Sequence, residues 1–249
     1  AAEFDTVVVG IALQDDKVSY IAIDHSQQKA ELKDGVAVID AQKTKKEKGA
    51  DYAMLEASKA AGLGKEWNEQ IAALEEALVG KTKDEIATYM GSEDVKSAAT
   101  IHLGDVEATV LKAIDSAVEV EGAVKVGLGY SVGVASKGDG MKPETTLDYA
   151  MVAVDADGKI VKAILDNAQE KAEVEGDKLV AKNIGQTKGE LKDAYGMVGA
   201  SPIKKEWNEQ NDALMEALVG KTIAEATALV PGEGDIATSV TMNLDAAHA

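Results

Sequence analysis

The chain has 249 residues, no cysteine, and 44 acidic against 26 basic residues, a formal net charge of −18. The missing cysteines exclude a disulfide framework, a thiolate metal site and a thiol nucleophile. The acidic balance is spread along the chain, and it weighs against nucleic acid and anionic membrane surfaces as partners, where lysine and arginine patches supply the attraction.

Ala1-Ala2-Glu3-Phe4-Asp5 opens without an initiator methionine and heads directly into a strand. That pattern suggests a processed chain whose secretion signal or lipid anchor lies outside this sequence. The β-branched runs Phe4–Leu13 and Lys17–Asp24 flank Gln14-Asp15-Asp16 and predict a hairpin. Trp67, Ile71, Leu74 and Leu78 recur at helical spacing, and Gly80 is placed to end that helix in left-handed geometry. Thr82-Lys83-Asp84-Glu85 is a capping box that opens a second, shorter helix. Asp105–Val118 reads as a further helix, residues 118–124 as a boundary, and Lys125–Ser136 as a glycine-rich strand. A second hairpin follows, Leu147–Val154 and Lys159–Asp166 around Asp155-Ala156-Asp157-Gly158. Ser201-Pro202 predicts the start of another long helix, with proline in its first turn. Thr222-Ile223-Ala224-Glu225 repeats the capping box. No run approaches 18 apolar residues, so no membrane-spanning helix is predicted.

Much of this list is one pattern written twice. KEWNEQIAALEEALVGKT begins at Lys65 and KEWNEQNDALMEALVGKT at Lys205, and the two tryptophans of the chain, Trp67 and Trp207, open both copies at the same place. Gln27-Gln28-Lys29-Ala30-Glu31 likewise matches Gln169-Glu170-Lys171-Ala172-Glu173. Solenoid repeats run at roughly 20–50 residues, so a period this long means tandem domains. The expected fold is α+β: two tandem homologous domains, residues 1–119 and 120–249, each a mainly antiparallel sheet packed with helices. The strand at Lys125–Ser136 would have its counterpart in copy one before residue 1.

Each copy then reaches a short acid–hydroxyl segment, Asp94-Val95-Lys96-Ser97-Ala98-Ala99-Thr100 and Asp235-Ile236-Ala237-Thr238-Ser239-Val240-Thr241. The spacing D-x-x-[ST]-x-x-T, with small residues before the last threonine, resembles the flavinylation signature of FMN-binding domains. The resemblance implies two FMN groups joined covalently, through their phosphates, to Thr100 and Thr241. It implies a flavin transferase that reads Asp94, Ser97, Asp235 and Thr238 as motif positions. Over nearly the whole chain the arrangement is similar to the tandem flavoproteins of Gram-positive flavin-based extracellular electron transfer. Those imply an extracellular lipoprotein anchored at the cell surface, a monomer, with no substrate turnover of its own. A membrane quinone and dehydrogenase system would be the electron donor, and extracellular acceptors such as ferric iron would take the electrons. Ala98-Ala99 and Ser239-Val240 depart from the Gly-Ala that the family prefers before the threonine, Val240 the further of the two.

Other residues leave alternatives open. Tyr52, Met54, Tyr195 and Met197 lie in matching loops before the long helices, where they could face a flavin ring or pack under a loop. Trp67 and Trp207 read as core anchors, with flavin contact as the alternative. His25, His102 and His248 are scattered and read as surface residues, and His25 corresponds to Asn167, so the copies share no histidine. Gly127, Gly129 and Gly133 lack a dinucleotide fingerprint and fit a softened strand. No Ser/His/Asp arrangement is common to both copies, so hydrolysis has no support. The rival readings are a flavin-dependent reductase of a specific acceptor and a flavin-free tandem surface-binding module.

Overall fold

The computed structural model describes residues 1–40, 43–182 and 185–242, and the fold is α+β. In chain order the elements are β1 (Ala2–Gln14), β2 (Lys17–Lys33), β3 (Val36–Ile39), α1 (Lys45–Lys48), α2 (Leu55–Ala60), α3 (Trp67–Leu78), α4 (Lys83–Met90) and α5 (Gly104–Asp115). Then follow β4 (Lys125–Lys137), β5 (Lys142–Val154), β6 (Ile160–Glu175), β7 (Lys178–Ala181), α6 (Lys188–Leu191), α7 (Trp207–Leu218) and α8 (Ile223–Thr227). Short 3-10 turns fill the intervals, among them Glu93–Ser97 and Gly234–Ile236. The strands form a three-stranded sheet in the order β1-β2-β3 and a four-stranded sheet in the order β4-β5-β6-β7. β2 pairs with β3, β4 with β5, β5 with β6 and β6 with β7, all antiparallel.

The chain separates into two compact units. Unit 2 comprises Asp5–Gln27 and Lys43–Glu119; unit 1 comprises Ala1–Phe4, Gln28–Gln42 and Val120–Ala249. The chain therefore passes between units inside β1, inside β2, after residue 42 and after residue 119. No helix or strand occupies residues 117–124.

Unit 2 is built on the periodicity of α3. Trp67, Ile71, Leu74 and Leu78 are all buried against Val18, Ile21 and Ile23 of β2 and against Ile86, Met90, Val95, Val106 and Val110. The β1–β2 connection is tight because Asp15 and Asp16 both take positive φ, 52° and 61°, the geometry that matches a two-residue hairpin turn to strand twist. Gly80 ends α3 with φ 81°, as its position predicts. Its N–H donates to the Val18 carbonyl at 2.8 Å, while the Val18 N–H donates to the Lys81 carbonyl at 3.0 Å. The helix end is thereby stitched to the first residues of a core strand.

Unit 1 repeats that stitch. Gly220 takes φ 82°, its N–H donates to the Ile160 carbonyl at 2.8 Å, and the Ile160 N–H donates to the Lys221 carbonyl at 2.8 Å. Ile160, Ala163, Leu214, Leu218, Ile236 and Val240 form the core over β6 and α7. A smaller apolar cluster joins Phe4, Ala30 and Ala172. At the β4–β5 turn Gly140 has φ 87°, and a Cβ there would stand 2.1 Å from Cγ1 of Val36, so the position admits only glycine. Both capping boxes form: the Thr82 and Thr222 hydroxyls accept from the N–H groups of Glu85 and Glu225.

Two expectations are corrected. Pro202 does not open α7, which begins five residues later at Trp207 behind a Glu206 cap. Lys204 takes φ 56° and breaks any helix there, and Ser201 turns its hydroxyl inward to bond α7. The helix expected over Asp105–Val118 spans Gly104–Asp115, ending where Ser116 bonds back to the Lys112 carbonyl.

Candidate functional site

The acid–hydroxyl segments adopt the same geometry in both copies. Glu93–Ser97 is a 3-10 turn that buries Val95, Ala98 and Ala99 and leaves Asp94 and Ser97 exposed. The Ser97 hydroxyl donates to the Asp94 carbonyl at 2.7 Å, closing the turn. In copy two Ile236 and Val240 are buried while Asp235 and Thr238 are exposed. The valine that departs from the family pattern is thus a core residue facing away from solvent. The segment presents an acid and a hydroxyl outward and delivers Thr100 or Thr241, half-buried, at its end.

What receives that threonine is a glutamine the sequence reasoning did not single out. Gln70, on α3, is fully buried, and its Oε1 accepts from the Thr100 N–H at 2.8 Å and from the Thr100 hydroxyl at 3.3 Å. Its Nε2 donates to the Ser58 hydroxyl at 3.1 Å and to the Lys65 carbonyl at 3.0 Å. Gln210, on α7, does the same. Its Oε1 accepts from the Thr241 N–H at 2.8 Å, the Thr241 hydroxyl at 3.1 Å and the Met242 N–H at 3.1 Å. Its Nε2 donates to the Ser201 hydroxyl at 3.1 Å and the Lys205 carbonyl at 3.2 Å. Each glutamine is the last residue of a KEWNEQ block, so the repeat itself carried the signal. An amide side chain suits the post because it accepts and donates at once, satisfying groups on both sides of a dry site.

The chemical consequence is specific. With its proton committed to Oε1, each threonine Oγ1 accepts no hydrogen bond from the described residues, and its N–H contact to the same oxygen does not depend on that proton. A phosphoester on Oγ1 would remove one hydrogen bond and leave the N–H anchor in place.

The loops before the long helices are held by a second repeated device. The Glu66 carboxylate accepts from the Met54 N–H at 2.9 Å, and the Glu206 carboxylate accepts from Met197 at 2.7 Å and Val198 at 3.0 Å. The Met54 sulfur lies 3.8 Å from Nε2 of Gln70, so this residue does join the Thr100 site. Tyr52 sits in a neighbouring cluster: its hydroxyl donates to Oε1 of Gln27 at 3.1 Å, and its ring lies under the Lys45 ammonium at 5.2 Å. Tyr195 lies correspondingly under Lys188 at 5.2 Å. Burial, then the charges of Glu144 and Asp148, push its phenol pKa up.

Trp67 and Trp207 are buried, and each also faces the lysine of its own copy, at 5.7 Å and 5.8 Å. Lys45 is buried, and its Nζ lies 2.9 Å from Nδ1 of His25, whose Nε2 pairs with Asp5 at 2.6 Å. His25 is therefore no surface residue. His102 is exposed, and His248 lies outside the described residues. Among the described residues no group of histidine and carboxylate side chains is placed to hold a metal ion. No helix among them is long and apolar enough to cross a membrane.

Comparison with protein-family models, with curated proteins and with solved structures found no match to this chain.

Proposed function

We propose that this chain is an extracytoplasmic electron carrier that holds two FMN groups as phosphoesters of Thr100 and Thr241. The observation that carries the reading is the duplicated threonine seat. In both copies a half-buried threonine follows an exposed acid and hydroxyl, and a fully buried glutamine accepts its N–H and O–H together. A polar strand edge or a capped turn has no need of that seat, whereas attachment of a group at a fixed point does.

The residues fit such a group. The exposed Asp94 and Ser97, and Asp235 and Thr238, are accessible to a flavin transferase, while Val95 and Ala99, or Ile236 and Val240, anchor the segment from beneath. FMN would supply the redox chemistry, and the chain's part is to fix the phosphate end and exclude other hydroxyls from the transferase. Electrons would come from a membrane quinone and dehydrogenase system and leave to extracellular acceptors such as ferric iron, with the acidic surface favouring cationic acceptors.

Intact mass spectrometry of protein produced with a flavin transferase tests this. Two attached FMN groups add about 0.9 kDa, less the water lost on forming two phosphoesters. An unmodified mass under those conditions refutes the proposal.

A further inference from the structure

We propose that unit 1 carries a binding site for a small anion bearing carboxylate or phosphate groups, centred on the ammonium of Lys188. It stands independently of the flavin reading.

Lys188 opens α6 and lies over the rings of Tyr195 and Trp207 at 5.2 Å and 5.8 Å. It faces an open cavity of about 230 Å³, lined chiefly by Gln169, Lys171, Lys182, Gln186, Lys188 and Tyr195. Three lysines and two glutamines therefore line one small space. Among the described residues the Lys188 ammonium forms no hydrogen bond and no ion pair, although the backbone carbonyl of Lys188 accepts from the Lys192 N–H.

The carboxylates nearby are already engaged. Glu144 takes Lys137 at 3.1 Å, the Gln169 amide at 2.9 Å and Lys171 at 3.9 Å. Asp148 is bonded by the Asn167 amide, and Lys182 pairs with Glu175 at 2.6 Å. Burial holds the Lys188 pKa below its ordinary value. Asp148 and Glu144 push it up and Lys171 and Lys137 push it further down, and burial is the largest of these effects. An ammonium so placed gains more from an incoming anion than one already paired in water.

Copy one shows what a completed version looks like. There the corresponding Lys45 meets Nδ1 of His25, which is tied to Asp5. Copy two has Asn167 in place of His25, and that amide turns away to Asp148. Around the cavity, Lys182, Leu191 and Ala194 stand where copy one has Asp40, Lys48 and Asp51. In copy one the Lys48 ammonium and the Tyr52 hydroxyl both bond to Gln27, the counterpart of Gln169. Copy two has lost both the lysine's internal partner and the long side chain that covers the glutamine; at these three positions Lys182 replaces Lys48 as the one cation, and both aspartates are gone. The volume lies below the roughly 300–1,000 Å³ of drug-sized pockets, which suits a phosphate or a short dicarboxylate.

Calorimetric titration of the full chain with inorganic phosphate, succinate and FMN, near neutral pH and at constant ionic strength in chloride, tests the site. The expectation is saturable binding of phosphate or succinate with a Kd below about 10 mM. It should weaken at least about tenfold in Lys188→Met and stay unchanged in Lys45→Met. Equal affinity in Lys188→Met overturns the proposal, as does absence of saturation by either small anion. Saturation by FMN alone would give the cavity to flavin and also overturn it. Should Lys188→Met fail to fold, NMR of ¹³C-dimethylated lysines in the wild-type chain decides. Bound anion must raise the pH at which Lys188 titrates, and an unmoved titration refutes the site.

Discussion

Replacing Gln70 by leucine removes the threonine seat of unit 2 while changing side-chain volume little. Four good contacts disappear: two that Thr100 donates to Oε1 and two that Nε2 donates to Ser58 and Lys65. Thr100 is half-buried and can turn to water, and Ser58 keeps the Lys65 N–H at 3.0 Å. The groups left dry and without this partner are the Ser58 hydroxyl and the Lys65 carbonyl, at about 1–3 kcal/mol each. The apolar leucine offsets about 1–2 kcal/mol of that by burial. The net loss is about 1–4 kcal/mol. A unit of this size has a urea m-value of about 1–2 kcal/mol per molar, so its midpoint should fall by about 0.5–4 M. Urea denaturation followed by Trp67 fluorescence in a Trp207→Phe background isolates the unit. Hydrogen exchange at the Thr100 amide should accelerate more than exchange within α3, because the amide loses its acceptor directly. A stability change below about 0.5 kcal/mol with Thr100 still protected would refute the assignment of Gln70 as the anchor.

On the flavin proposal, Thr100→Val and Thr241→Val should each remove one FMN mass, and the double variant should be colourless. Covalent flavin surviving in the double variant would place attachment elsewhere. Burial lowers the Lys188 pKa from 10.5, so in the window below 10.5 the unfolded chain binds more protons than the folded one. Through this group stability rises with pH across that window. The difference between wild-type and Lys188→Met stability should show that rise, and a pH-independent difference contradicts it. With attached flavin, the net charge of −18 should hold the midpoint potential below that of free FMN, by an amount that shrinks with salt. Potentiometric titration at two ionic strengths checks this, and a midpoint above free FMN would mean that hydrogen bonds to the ring outweigh the field.

The parts of the fold that were legible were those fixed by local pattern. The stripe Trp67, Ile71, Leu74, Leu78 can be buried only as a helix, and Gly80 beyond it can end that helix in left-handed geometry, so both follow from spacing. The paired aspartates at 15 and 16 similarly announce a tight turn. Pro202 misled because proline fits the first turn of a helix and a preceding turn equally well. What chose between them was the bond that the Gln210 amide donates to the Ser201 hydroxyl, a contact across nine residues. Gln70 was missed for a related reason. A glutamine at a buried helix position is unusual only once its burial is known, and its partner Thr100 lies 30 residues away. His25 looked like an isolated surface residue because its partners, Asp5 and Lys45, come from opposite sides of it in sequence and meet only through folding.

The division of the chain has a consequence for its synthesis. Every residue of unit 2 has been made once Glu119 is added, so that unit can close early. Unit 1 cannot, because Gln28–Gln42 is made long before the Ala172 against which Ala30 packs. At ordinary elongation rates of about 5–20 residues per second, the arm waits on the order of ten seconds for its sheet. Through that interval β3 and the end of β2, Ala30–Lys33, form a two-stranded ribbon with Ala30 uncovered. A ribbon of that kind is marginal alone. Glu31 and Lys33 put charge along this short ribbon, and charge on such a segment discourages pairing with another nascent chain.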